Sequence, residues 1–175
     1  MRLKVALVAV TAAVLMALTP YTLTLIDWQF DPTNYPKVVR WAGCHATVAA
    51  NEDAGPEASF YIPMAKTMVV GTKADDSIPY YAGLFILLHE TGHCLQDESG
   101  WLDKQTDIVV VELDADRRGA DLACGMGLDG RQILIDTFDW AHRVLGYNGD
   151  MNHGSLEQRM GQAANAHACD KIVGQ

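Results

Sequence analysis

Positive charge is scarce in this chain. Its 175 residues hold 13 lysines and arginines against 22 aspartates and glutamates, a formal net charge of −9, and no basic run offsets the deficit. Nucleic-acid binding needs a basic stripe to neutralise phosphates, so no nucleic-acid partner is expected. Internal repeats and low-complexity tracts are also missing, which leaves one ordinary domain with a short appendage. The four cysteines include no Cys-x-x-Cys pair, so a thiolate zinc site is not expected. Long hydrophobic runs are rare too: there is one.

That run covers residues 5–26 and carries no charged side chain. About 20 apolar residues cross a bilayer, so it reads as an N-terminal transmembrane helix, an uncleaved anchor in preference to a cleaved signal peptide. Arg2 and Lys4 favour an internal N-terminus, and Trp28 and Phe30 suit the membrane–water interface. Either reading puts the remainder on the outer face of the membrane, secreted if the segment is cleaved. The run contains no glycine, so no small-residue dimer face stands out and oligomeric state stays open. Cys44, Cys94, Cys124 and Cys169 form an even set in an exported chain, which implies two disulfides among three possible pairings.

The chemistry is concentrated at Leu87-Leu88-His89-Glu90-Thr91-Gly92-His93. Residues four apart in a helix share a face, so His89 and His93 can grip one metal ion while Glu90 beside them takes a proton from a bound water. The apolar residues 81–88 make this a buried helix reaching about Gln96. A catalytic zinc needs a third protein ligand and an open fourth position. Glu112 and Asp116 are four apart on a second helix over 106–124, so Glu112 is the candidate third ligand. Asp116 is then placed to accept the free ring N–H of a zinc histidine. Antiparallel helices with His93 and Glu112 level would put Cys94 and Cys124 about 18 Å apart, too far for a disulfide. Gly92 inside the first helix points to a close backbone approach.

The His-Glu-Thr-Gly-His helix followed by Glu112-Leu113-Asp114-Ala115-Asp116 resembles the gluzincin metallopeptidases, above all their HtpX-type membrane-associated branch. A later segment, Asn152-His153-Gly154-Ser155-Leu156-Glu157-Gln158-Arg159, resembles that branch's His-Pro-x-x-x-x-Arg, with Gly154 at the proline position. The resemblance covers about residues 58–165. It implies an α+β, zincin-like fold, mostly helical with a small β-hairpin or sheet over the active-site helix. It also implies one Zn2+ per chain, hydrolysis of peptide or protein substrates, and His153 as a donor to the oxyanion. Arg159 would orient that loop or pair with a surface acid. Thr67, Met68, Val69 and Val70 would form the edge strand that pairs with substrate, or a strand that only covers the helix. The alternative function is a zinc-containing binding module or adaptor at the membrane surface that does no catalysis.

Residues 1–26 are thus the anchor, 27–57 a juxtamembrane region and 58–175 the peptidase-like domain. Residues 37–50 fit a helix opened by Pro36, or a helix running into a strand at 45–49. Residues 51–56 form a loop. Ser59 to Ile62 and Lys66 to Gly71 form a hairpin around Pro63-Met64. Asp75, Asp76, Ser77 and Pro79 carry start signals for the first metal helix. Asp129 with Gln132 opens a helix to Leu145, and Ser155 with Gln158 opens a last helix to about Ile172. Tyr61 and Tyr147 are further candidate donors that nothing selects over packing. His45, His142 and His167 lack partners at metal spacing, and Trp41, Trp101 and Trp140 read as packing residues.

Overall fold

A computed structural model describes residues 37–41, 43–71, 73, 77–167 and 169. The anchor expected at residues 5–26 lies outside them, and no helix among the described residues is long and apolar enough to cross a membrane. Among the described residues the architecture is α+β: four α-helices with a small mixed sheet. The sheet contains β1 (Lys37–Trp41), β2 (Cys44–Asn51), β3 (Phe60–Ile62) and β4 (Thr67–Gly71), in the order β1-β2-β4-β3. Its outer pairs are antiparallel and the central β2–β4 pair is parallel.

Residues 37–50 are therefore two strands, with no helix. The period-two alternation of β2 explains the choice: Cys44, Ala46 and Val48 are buried while His45 and Thr47 face out. These strands belong to the same compact unit as the helices, so the domain begins well before residue 58. The hairpin is as expected, with Tyr61 opposite Met68. Its connection is a 3-10 turn that closes on Lys66 in the left-handed region (φ 44).

Helix α1 (Tyr80–Glu98) is apolar on nearly every face and forms the centre of the domain, with Leu84, Phe85, Leu87 and Leu88 buried. Its N-cap is Pro79, without a side-chain cap, so Ser77 does not play that part. Helix α2 (Ile108–Gly125) is capped by Asp107, which accepts from the Val109 N–H. Asp129 caps α3 (Gly130–Leu145), which ends at Gly146 in the left-handed region. Ser155 and Gln158 form a complete capping box on α4 (Leu156–Gly161). That last helix stops eleven residues short of Ile172. A 3-10 turn follows at Gln162–Asn165 and brings Cys169 back to Cys124. A helix continued from Gly161 would instead carry residue 169 about 12 Å farther along its axis.

The antiparallel α1–α2 pair is the frame of the site. Its axes approach closely because glycines face backbone at two levels. A Cβ on Gly92 would lie 2.8 Å from the Ala115 carbonyl oxygen, and one on Gly119 would lie 3.2 Å from the His89 nitrogen. The disulfides are Cys44–Cys94, which ties β2 to α1, and Cys124–Cys169, which ties α2 to the C-terminal turn. Cys94 and Cys124 do not pair, as the helix geometry required. With partners separated by 50 and 45 positions in sequence, each bridge removes about 4 kcal/mol of unfolded-chain entropy in the loop-closure picture. A small core of Phe85, Ala120, Leu134, Phe138 and Ala163 joins α3 and the C-terminal turn to the helix pair.

Candidate metal centre

His89 and His93 lie one turn apart on α1, and α2 brings Glu112 against them. Their Nε2 atoms are 3.1 Å apart, with Glu112 Oε2 3.1 Å from His89 Nε2 and Oε1 3.4 Å from His93 Nε2. A tetrahedral ion with bonds of about 2.0–2.1 Å holds its ligand atoms about 3.3 Å apart, so the spacing matches one metal position.

The hydrogen bonds behind the rings determine which atoms carry lone pairs. Asp116 Oδ1 accepts from His89 Nδ1 at 2.8 Å. Gln96 Nε2 donates to the Val111 carbonyl at 2.8 Å and to Asp114 Oδ2 at 3.0 Å, so its Oε1 is the atom that accepts from His93 Nδ1 at 2.9 Å. With both Nδ1 atoms protonated, both neutral rings point an Nε2 lone pair at the Glu112 carboxylate. Three acceptors converging in a buried place call for a cation. His–His–Glu donors at this spacing suit a borderline divalent ion. Without a metal, a proton answers the same demand. Burial alone would lower the His89 pKa, but hydrogen bonds to Asp116 and Glu112 raise it to about 10. Burial pushes Glu112 upward, yet its hydrogen bonds to His89 and His93 bring it well below the usual range. Metal binding here displaces a proton.

Asp116 is fully buried, and Arg159 reaches it from α4 with a two-pronged bond, Nε to Oδ2 and Nη2 to Oδ1, both 2.7 Å. Burial would raise the Asp116 carboxyl, but Arg159 outweighs it and holds it low. Arg159 also lies over the Phe138 ring, 4.4 Å from its centroid, and donates to Tyr147 Oη at 3.3 Å. The expectation that Arg159 orients a loop or meets a surface acid is replaced by a buried relay, Arg159–Asp116–His89.

Glu90 lines a cavity of ≈ 340 Å³ together with His89, His153 and Arg159. Burial raises its pKa, against the pull of His89 and His93, and its carboxylate accepts the Tyr61 backbone N–H. His153 stands apart from the metal cluster, on the wall of the same cavity. Asp150 accepts its Nδ1–H at 2.8 Å, and the side chain is 44% exposed. Gly154 next to it has φ +83, a conformation that proline cannot adopt.

The strand expectation needs correction. Thr67, Met68, Val69 and Val70 lie on β4, which has β2 on one side and β3 on the other, so no free edge remains for a substrate. The hairpin's first strand is the outer one. The edge beside the site is β3, whose Tyr61 N–H meets Glu90. Tyr61 Oη itself donates to Asp97 at 2.7 Å, and Tyr147 Oη is engaged with Arg159. Sequence reasoning also missed Gln96 and the cavity wall formed by Phe138 and Trp140. The i+3 spacing of Gln96 after His93 was a usable signal; nothing local marks the wall. His45 sits beside Glu98 and His142 beside the Tyr147 carbonyl, away from the cluster.

No family model, curated protein or solved structure matches this chain.

Proposed function

We propose that this chain is a zinc-dependent endopeptidase of the gluzincin type, anchored in a membrane through residues 5–26 with the described domain on the outer face. The observation that carries the reading is the convergence of two imidazole lone pairs and a glutamate on one point, with a second, buried glutamate on the adjoining cavity wall. His89, His93 and Glu112 would hold the ion. When bound, zinc supplies Lewis acidity, making a water acidic near neutral pH and polarising a carbonyl. Glu90 takes the proton of the attacking water on its carboxylate and passes it to the leaving amine nitrogen. Its burial suits this exchange, since a raised pKa brings the carboxylate closer to a base that works near neutrality. His153, bonded at Nδ1 to Asp150, can donate at Nε2 only as the imidazolium, whose charge Asp150 balances. In that form it is the candidate donor to the oxyanion. An extended peptide would lie along β3, in place of Thr67, Met68, Val69 and Val70. The two disulfides favour an oxidising compartment.

Zinc analysis of the purified full chain and casein digestion by wild type and Glu90→Gln test the reading. One zinc in each protein is expected, with cleavage only by wild type. Equal cleavage by both would refute the role of Glu90. Zinc without cleavage by wild type would point to the binding module, and absence of zinc to an adaptor.

A further inference from the structure

His89 and His93 are backed differently. Behind His89 stands a carboxylate, Asp116, which when ionised can only accept a hydrogen bond. Behind His93 stands the Gln96 amide, which can accept through its oxygen or donate through its nitrogen, and the ring nitrogen it faces can do either as well. The pair alone therefore leaves two arrangements open. With the Gln96 oxygen toward His93, Nδ1 carries the proton and Nε2 turns a lone pair to the metal position. With the amide turned over, Nδ1 becomes the acceptor and the proton moves to Nε2, where it blocks ligation.

The choice is made on the far side of the amide. Gln96 is fully buried, and its Nε2 meets two acceptors from α2, the Val111 carbonyl at 2.8 Å and Asp114 Oδ2 at 3.0 Å. Val111 and Asp114 are three apart in sequence, so both reach the amide from one face of the helix. Turning the amide over would set its oxygen against a carbonyl and a carboxylate, three acceptors with no donor between them. Asp114 is itself fixed by two arginines. Arg117 donates to Oδ1 from Nε at 3.1 Å and from Nη2 at 2.6 Å, and Arg118 Nε donates to Oδ2 at 2.6 Å. None of Gln96, Asp114, Arg117 and Arg118 lines the cavity on the other side of the metal cluster.

We propose that Asp114, braced by Arg117 and Arg118, is a positioning residue for the metal: it sets which end of the Gln96 amide faces His93, and so which ring nitrogen of His93 is free to ligate. This role rests on His89, His93 and Glu112 holding a metal ion, as proposed above, and does not require peptide hydrolysis. The segment Glu112-Leu113-Asp114-Ala115-Asp116 then supplies one ligand and one carboxylate for each imidazole, direct for His89 and through an amide for His93.

Zinc affinity of the full chain, measured by competition with a chromophoric chelator, tests it in four proteins: wild type, Asp114→Ala, Gln96→Leu and the double variant. Asp114→Ala should weaken zinc binding about tenfold, the low end of the ~10–100-fold range for partners behind a ligand, because the Val111 carbonyl still accepts from the amide. In Gln96→Leu no amide is left to orient, so adding Asp114→Ala should cause no further loss, whereas two independent packing defects would multiply. A long-range proton–nitrogen NMR spectrum of the zinc-loaded wild type should show both histidines protonated at Nδ1. In Asp114→Ala the His93 Nδ1–H should exchange faster with water while that of His89 is unchanged. If circular dichroism shows that Asp114→Ala does not fold, Asp114→Leu, which keeps the bulk and suits a helix, takes its place. Unchanged zinc affinity in Asp114→Ala overturns the positioning role while the metal site stands, and so does a double variant that binds zinc more weakly than Gln96→Leu by the factor Asp114→Ala costs alone. A wild type that takes up no zinc overturns both.

Discussion

The histidines of α1 and the histidine of the hairpin between β5 (Gly149–Asp150) and β6 (Gly154–Ser155) carry the same ring and each bonds a side-chain acceptor, yet their settings are opposite. His89 is 8% exposed, and its acceptor Asp116 is fully buried and held in turn by Arg159. His153 and Asp150 are both nearly half exposed and belong to one short loop. Burial makes every bond behind His89 and His93 obligatory, because a broken one leaves an orphaned polar group. Exposure makes the Asp150–His153 bond optional, since water can replace either partner. The first region is arranged to hold a fixed geometry; the second is held by a bond that solvent can replace.

The largest effect that would break this contrast is expected at Asp116. Asp116→Ala leaves the Arg159 guanidinium buried without a counter-charge and should cost about 3–5 kcal/mol of stability in urea unfolding. Asp116→Leu combined with Arg159→Met should recover most of that loss while zinc affinity stays weakened, because His89 Nδ1 still lacks its acceptor. A double variant no more stable than the single one would show that the pair does not act as a unit.

His153→Ala comes next. Loss of one oxyanion donor typically costs about 2.7–4 kcal/mol in kcat. The fall should appear in kcat with zinc content and unfolding midpoint unchanged, since nothing in the buried frame depends on this ring. An altered zinc content would join the two regions that the structure separates.

Gln96→Leu sharpens the contrast from inside. It removes the acceptor for His93 Nδ1 and the donor to the Val111 carbonyl, one residue before Glu112. Zinc affinity, measured by competition with a chromophoric chelator, should weaken by about 10–100-fold. Unchanged affinity would mean that the Gln96 amide only packs.

Much of this site could be read locally. The four-residue spacings of His89 with His93 and of Glu112 with Asp116 depend only on helix pitch, and both pairs share a face as expected. Asp129 and the Ser155–Gln158 box announced their helices because capping bonds span three residues. The Gly92 contact was legible because a mid-helix glycine is costly unless space is short. Strand order was not legible: Thr67, Met68, Val69 and Val70 look like an edge from their position beside α1, and only the parallel pairing with β2, drawn from the segment taken as juxtamembrane, places them inside the sheet. Arg159 was misread for the same reason. Its partner lies 43 residues away, and nothing within one turn of it predicts burial.

Residue order alone showed two side-chain pairs at helix spacing and a set of helix starts, because each is a relation within one or two turns of chain. Whether those pairs meet was decided by tertiary packing. Gly92 against Ala115 and Gly119 against His89 let two backbones approach closely, and that approach puts Glu112 within ligand distance of both imidazoles. Asp116 from the second helix and Gln96 from the next turn of the first then hold the rings in the tautomer that points three acceptors at one place, since buried donors and acceptors are rarely left unpaired.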